Sequence, residues 1–121
     1  MYQAKSIRTF IGSKNYEESR RFYRELGFEE IVLFDNMCLF KVNENLSFYL
    51  QDAYVKKWCN NSMVFLEVDD VDQCYQEITA KKLDGKYKYV RFTDIKQYDW
   101  GREFFMHDPS GILWHFGQFN D

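Results

Sequence analysis

The sequence predicts an α+β fold in which one pattern, a strand, a helix and then three strands, is used twice, over residues 4–51 and again over 62–118. Three observations predict it. Residues 5–12 and 62–68 alternate apolar and polar side chains at the strand period. Each run is followed by a capped stripe at helical spacing, and each stripe by short apolar runs separated by turn residues. The repeat lies in the order of elements, not in the letters. Two half-domains that each present a curved sheet can enclose a pocket, and its lining then decides between metal chemistry and plain binding.

In the first strand, 5–12, Ile7, Thr9 and Ile11 share one side and Arg8 and Phe10 the other. Asn15 caps the first helix, with Glu18 three residues on, and the stripe is Ser19, Phe22, Tyr23 and Leu26. Gly27 suits its left-handed end. Strands follow at 28–34, 37–42 and 46–51, with Asp35-Asn36 as a tight turn. Residues 52–61 are a connector between the halves. In the second half, strand 62–68 leads to a helix capped by Asp70, with Gln73 in the box position and Val71, Cys74, Tyr75 and Ile78 as its stripe. Asp84-Gly85 reads as a turn, 86–92 as a Tyr-rich strand and 93–100 as a polar loop. Strand 101–107 meets strand 112–118 through Asp108-Pro109-Ser110-Gly111, where Pro presets the second turn position and Gly tolerates the fourth.

The 121 residues suit a single domain, 1–121, with a real core. Aromatic residues are 20% of the chain, enough to dominate a core or a concave binding surface. A net charge of −3 argues against a nucleic-acid partner. No apolar run is long enough for a bilayer span, so no membrane partner is expected either. Residues 1–10 lack the apolar stretch and cleavage site of a secretory leader, which makes the cytoplasm the expected location. Cys38, Cys59 and Cys74 are odd in number and widely spaced, which fits neither a disulfide framework nor a thiolate zinc site.

Three segments resemble one family. Residues 100–118, WGREFFMHDPSGILWHFGQ, resemble the closing hairpin of the vicinal oxygen chelate superfamily, which unites glyoxalases, bleomycin resistance proteins and extradiol dioxygenases. Residues 15–28, NYEESRRFYRELGF, are similar to its first helix, and 65–75, FLEVDDVDQCY, to its central strand-to-helix turn. The segments come in family order, and Gly-Arg-Glu-Phe with Asp-Pro-Ser-Gly leans towards the bleomycin-resistance-like branch. The resemblance implies two βαβββ modules whose curved mixed sheets form a cup-shaped, partly closed barrel with helices outside. It also implies a homodimer that completes the pocket across the subunit interface.

Metal-using relatives place one ligand on the first and one on the last strand of each module. On that pattern this chain offers Arg8, Tyr49 or Gln51, Met63 and His115. A guanidinium has no lone pair to give and adds repulsion beside a cation. A thioether suits soft copper(I), not the ions this family uses. His115 and Gln51 are too few, so neither a metal nor any other cofactor is expected.

Strand parity places Arg8, Phe10, Tyr49, Gln51, Met63, Phe65, Phe105 and His115 inside the cup and Trp100 at its rim. Rings with a few convergent polar groups are the usual lining of a small-molecule site. The ring faces suit planar or cationic ligands, whereas Arg8 suits a carboxylate or phosphate unless Glu103 neutralises it. The first expectation is therefore a metal-free binding protein of the bleomycin-resistance type, sequestering an aromatic or drug-like molecule. A divergent lyase, isomerase or dioxygenase using His115 is the second, since imidazole titrates near neutrality. The third is a structural or regulatory dimer whose cup is filled by Phe10, Phe65 and Phe105.

Overall fold

The computed structural model describes residues 2–121, and the doubled pattern stands in it as two separate mixed sheets. Strand β1 (Phe10–Ile11) is followed by helix α1 (Tyr16–Leu26). The Asn15 side chain accepts the Glu18 amide at 3.1 Å, and Gly27 ends the helix at φ 114°. Ser19, Phe22, Tyr23 and Leu26 are its buried stripe, as the spacing predicts. Strands β2 (Glu29–Phe34), β3 (Met37–Lys41) and β4 (Ser47–Gln51) form an antiparallel meander, and β1 joins β4 in parallel, giving the order β1-β4-β3-β2.

Helix α2 (Lys56–Asn61) crosses to the second half, which opens with β5 (Met63–Glu67) and α3 (Val71–Ala80). Asp70 accepts the Gln73 amide at 3.1 Å. A short helix α4 (Leu83–Lys86) precedes β6 (Arg91–Phe92), β7 (Lys96–Gln97), β8 (Gly101–His107) and β9 (Leu113–Phe119). The second sheet runs β5-β9-β8-β6, with β5 parallel to β9 and β7 also on β8. Among the described residues the sheets do not join into a closed barrel, so each remains half of a cup.

The departures from the sequence reading have local causes. The first strand is two residues, not eight; before it the Thr9 carbonyl accepts the Tyr49 amide and the Arg8 side chain reaches the Tyr49 hydroxyl, but Ile7 is fully exposed. The connector carries α2, which has no side-chain cap and is pinned by buried Cys59. Asp84-Gly85 lies inside α4, not in a turn between elements, because Leu83 is drawn into the core. The strand expected at 86–92 shrinks to Arg91–Phe92 because Tyr87 and Val90 both turn inward and break the alternation; the Tyr87 ring meets Phe22 edge-on at 5.4 Å.

The helix-facing sides of both sheets share one core. Tyr23 of α1 lies 5.2 Å from Phe48 and 5.5 Å from Phe40 on the first sheet, and 5.9 Å from Trp114 on the second. A buried polar chain runs through it. The Trp114 indole donates to the Tyr23 hydroxyl at 2.9 Å, and that hydroxyl donates to Asp108 Oδ2 at 2.6 Å. Asp108 Oδ1 accepts the amides of Ser110 (2.8 Å) and Ile112 (2.9 Å), which shapes the closing turn, where Gly111 sits at φ 96°. Burying such polar atoms is tolerable only because every one is partnered.

Close backbone approach fixes where β1 leaves the sheet. A Cβ on Gly12 would stand 2.4 Å from the Ala53 carbonyl oxygen, the acceptor for the Ser13 amide at 3.0 Å. Gly12→Ala is expected to cost about 2 kcal/mol in a urea melt, since backbone, not a side-chain tip, must move. A change below about 0.5 kcal/mol would mean that this crossing is loose.

Candidate functional site

With their helix sides fused in one core, the two sheets turn their other faces to solvent. On β3 and β4 the buried positions are Cys38, Phe40, Phe48 and Leu50, while Met37, Leu39, Tyr49 and Gln51 are partly open. On β8 and β9 buried Phe104, Met106, Trp114 and Phe116 alternate with Phe105, His107, Leu113 and His115. On the same open face, Glu103 of β8 and Gly117 of β9 are buried as well.

The first face gathers Arg8, Phe10, Tyr49 and Gln51. Phe10 stacks on Tyr49 with centroids 4.6 Å apart, and Arg8 Nη1 donates to the Tyr49 hydroxyl at 2.9 Å. Gln51 borders a small cavity of about 100 Å³ with Phe10 and Trp58. The second face gathers the remaining positions. Phe65 lies 6.0 Å from Trp100 and 6.1 Å from His115, and Phe105 meets His115 edge-on at 4.6 Å. Met63 is exposed beside Leu113 at the edge. The ladder explains this grouping, because Phe65, His115 and Phe105 sit directly across from one another on β5, β9 and β8.

One pairing in the sequence reading is corrected. Glu103 does not neutralise Arg8; its Oε1 lies 2.9 Å from His115 Nδ1, the diagonal neighbour on the same face. The hairpin register carries that signal, since it sets Glu103 opposite Gly117 and Phe105 opposite His115. In the tautomer whose Nδ1–H donates to Glu103, Nε2 carries the lone pair. Nε2 is buried and has no partner among the described residues. The partly closed cup is open within one chain: Arg8 and Phe65, one from each set, line a common groove at the sheet edges, and Phe10 and Gln51 line a smaller cavity.

The donor set does not fit a divalent ion. Arg8 is a cation engaged with Tyr49, Met63 offers a thioether, and the Nδ1 side of His115 is taken by Glu103. Among the described residues, no group of three or more His, Cys, Asp or Glu side chains is arranged to hold a metal. No helix among them is long and apolar enough to cross a membrane.

The comparisons with known proteins agree with this geometry. The sequence model described as the Glyoxalase/Bleomycin resistance protein/Dioxygenase superfamily matches residues 6–116. No curated protein sequence matches the chain. Among solved structures, the chain is similar to the bleomycin-binding protein from bleomycin-producing Streptomyces verticillus complexed with copper(II)-bleomycin. That match has a TM-score of 0.82 at 18% identity and covers 99% of this chain and 100% of the other. It is also similar to TnmS3, an antibiotic-binding protein from Streptomyces sp. CB03234, with a TM-score of 0.76 at 17% identity, covering 99% and 100%. The bleomycin resistance determinant encoded on the transposon Tn5 gives a TM-score of 0.74 at 19% identity, covering 100% of both chains. At these identities the likeness is one of fold.

Proposed function

The chain belongs to the glyoxalase/bleomycin resistance protein/dioxygenase superfamily, and on that basis we propose that it is a metal-free binding protein that sequesters a small aromatic or drug-like molecule in cups completed by two copies. The observation that carries this reading is the pair of ring-lined sheet faces left open by a single chain. Phe10, Met63 and Phe65 are 54%, 66% and 44% exposed. Apolar surface on that scale marks a place where something docks. Setting the first face of one copy against the second face of another would wall a cup on both sides with rings. Arg8 would supply a donor to the ligand. Solved relatives of the same fold bind bleomycin and another antibiotic, which supports the same ligand class here.

Titration with bleomycin and a panel of planar aromatic compounds, followed by tryptophan fluorescence, tests the proposal. Trp100 lies 6.0 Å from Phe65 and should report occupancy. Saturable quenching is expected, weakened roughly tenfold by Phe65→Ala, together with a dimer in sedimentation equilibrium. Silence across the panel from a chain that stays monomeric would sink the proposal. So would a stoichiometric divalent ion held through His115.

A second reading rests on the Glu103–His115 pair, an imidazole oriented by a carboxylate with its far nitrogen free. That is the arrangement of a general base, and it keeps a divergent lyase or isomerase in play. Turnover of a ligand found in the panel, lost in His115→Ala, separates the two readings.

A further inference from the structure

The chain also builds a second and chemically different cavity. Lys14 from the loop before α1, Lys56 from the first turn of α2, Arg91 from β6 and His107 from the end of β8 line an open cleft of about 500 Å³. That volume lies within the range of small-molecule sites. Tyr54 and Tyr89 form part of its wall, 39% and 52% exposed.

This cleft gathers basic side chains from four separate segments with no carboxylate among them. Among the described residues, none of its four basic groups makes an ion pair, whereas Arg20, Arg24, Lys86 and Arg102 each hold a carboxylate within 3 Å. Carboxylates are not scarce, because the chain has 19 acidic residues against 16 Lys and Arg. Gathering unpaired cations in a concavity raises the local positive potential and favours an anion entering from water. Lys14 Nζ stands 5.9 Å over the Tyr54 ring, and Arg91 Nη2 lies 3.5 Å from His107 Nε2. Burial and then the Arg91 charge push the His107 imidazole below its ordinary range, so at neutral pH that ring is an uncharged polar neighbour of the cations.

The wall chemistry narrows the anion. A planar guanidinium grips phosphate oxygens with two parallel N–H groups, and two ammonium groups suit a multiply charged head. Exposed tyrosine faces beside them offer a stacking surface for a flat ring. We propose that this cleft binds a small aromatic phosphate ester of nucleotide size, with phosphate held by Lys14, Lys56 and Arg91 and the ring laid on Tyr54 or Tyr89. His107 lies on the same open face of β8 as Phe105, but none of the nine residues named for the ring-lined faces lines the cleft, so this proposal is tested separately from the drug-binding one.

Isothermal titration of the full chain at low ionic strength, with ADP, pyrophosphate and adenosine as probes, tests this. ADP is expected to bind, pyrophosphate to bind more weakly and adenosine to give no heat. The ADP constant should fall roughly tenfold in Arg91→Gln and again in Lys56→Gln, and it should fall steadily as salt rises. Lys5→Gln, outside the cleft, should leave it unchanged. Both cleft variants remove exposed charges, and matching thermal melts would show that each remains folded. The proposal is overturned if ADP gives no heat at millimolar concentration, if adenosine binds as well as ADP, if pyrophosphate equals ADP, or if Lys5→Gln weakens binding as much as Arg91→Gln.

Discussion

Replacing Trp114 with alanine is expected to lower the unfolding free energy by about 4 kcal/mol and the melting midpoint by roughly 10 °C or more. The indole is 1% exposed and lies 5.3 Å from Phe48 and 5.9 Å from Tyr23, so it joins the helix sides of both sheets. Its removal leaves a large apolar cavity and also takes away the N–H that donates to the Tyr23 hydroxyl. Trp114→Phe should recover much of the packing but not the hydrogen bond, leaving a smaller deficit of about 1 kcal/mol. Urea melts of both variants measure this. A loss below about 1 kcal/mol for the alanine variant would mean that the two sheets do not depend on this ring for their union.

Asp108 is expected to give the protein an unusual acid response. Its carboxyl is fully buried, and burial pushes its pKa up to about 6, although Tyr23 and the amides of Ile112, Ser110 and Gly111 pull the other way. A raised carboxyl binds its proton more tightly in the folded chain than in the unfolded one. Its contribution to stability is therefore greatest below the unfolded pKa, near 3.8, and is lost as pH rises through about 6. Relative to Asp108→Asn, the native chain should lose about 2 kcal/mol between pH 4 and 6.5 and change little above that. The variant is the necessary reference, because Glu25, Glu30 and Asp72 pair with basic groups and have lowered pKa values. Their contributions run in the opposite sense, lost as pH falls. Parallel stability curves for the two proteins across that window would show that Asp108 stays ionised in the fold.

Much of the fold was legible because local chemistry and global packing agree. Asn15, Gly27 and Asp70 cap helices where their side chains or lack of one demand it, and the Asp108-to-Gly111 turn fixes the hairpin that follows. On β4 the alternation was legible because one face packs on the core, whereas β8 and β9 also bury Glu103 and Gly117 on the opposite face. The signal failed where tertiary contacts override it. No side chain caps the start of Lys56–Asn61; buried Cys59 and the Asn61 and Ser62 side chains, which donate to the Lys57 and Trp58 carbonyls, hold it in place. Tyr87 and Val90 look like strand residues but serve the core under α1. At the candidate site, the ring-bearing positions could be read one strand at a time. The Glu103–His115 contact could not, because it depends on the diagonal between two strands. The basic cleft was invisible for the same reason, since its three cations and His107 come from four separate stretches of chain.

The parallel edge strands have a consequence for biosynthesis. β1 waits for β4, β5 waits for β9, and Tyr23 waits for Asp108 and Trp114, 85 and 91 residues further on. An early hairpin from β2 and β3 can form as the polypeptide emerges, but the mutual core cannot close until the final strand has cleared the ribosome. Until then Tyr23 and Phe48 lack the Trp114 ring that covers them in the finished fold.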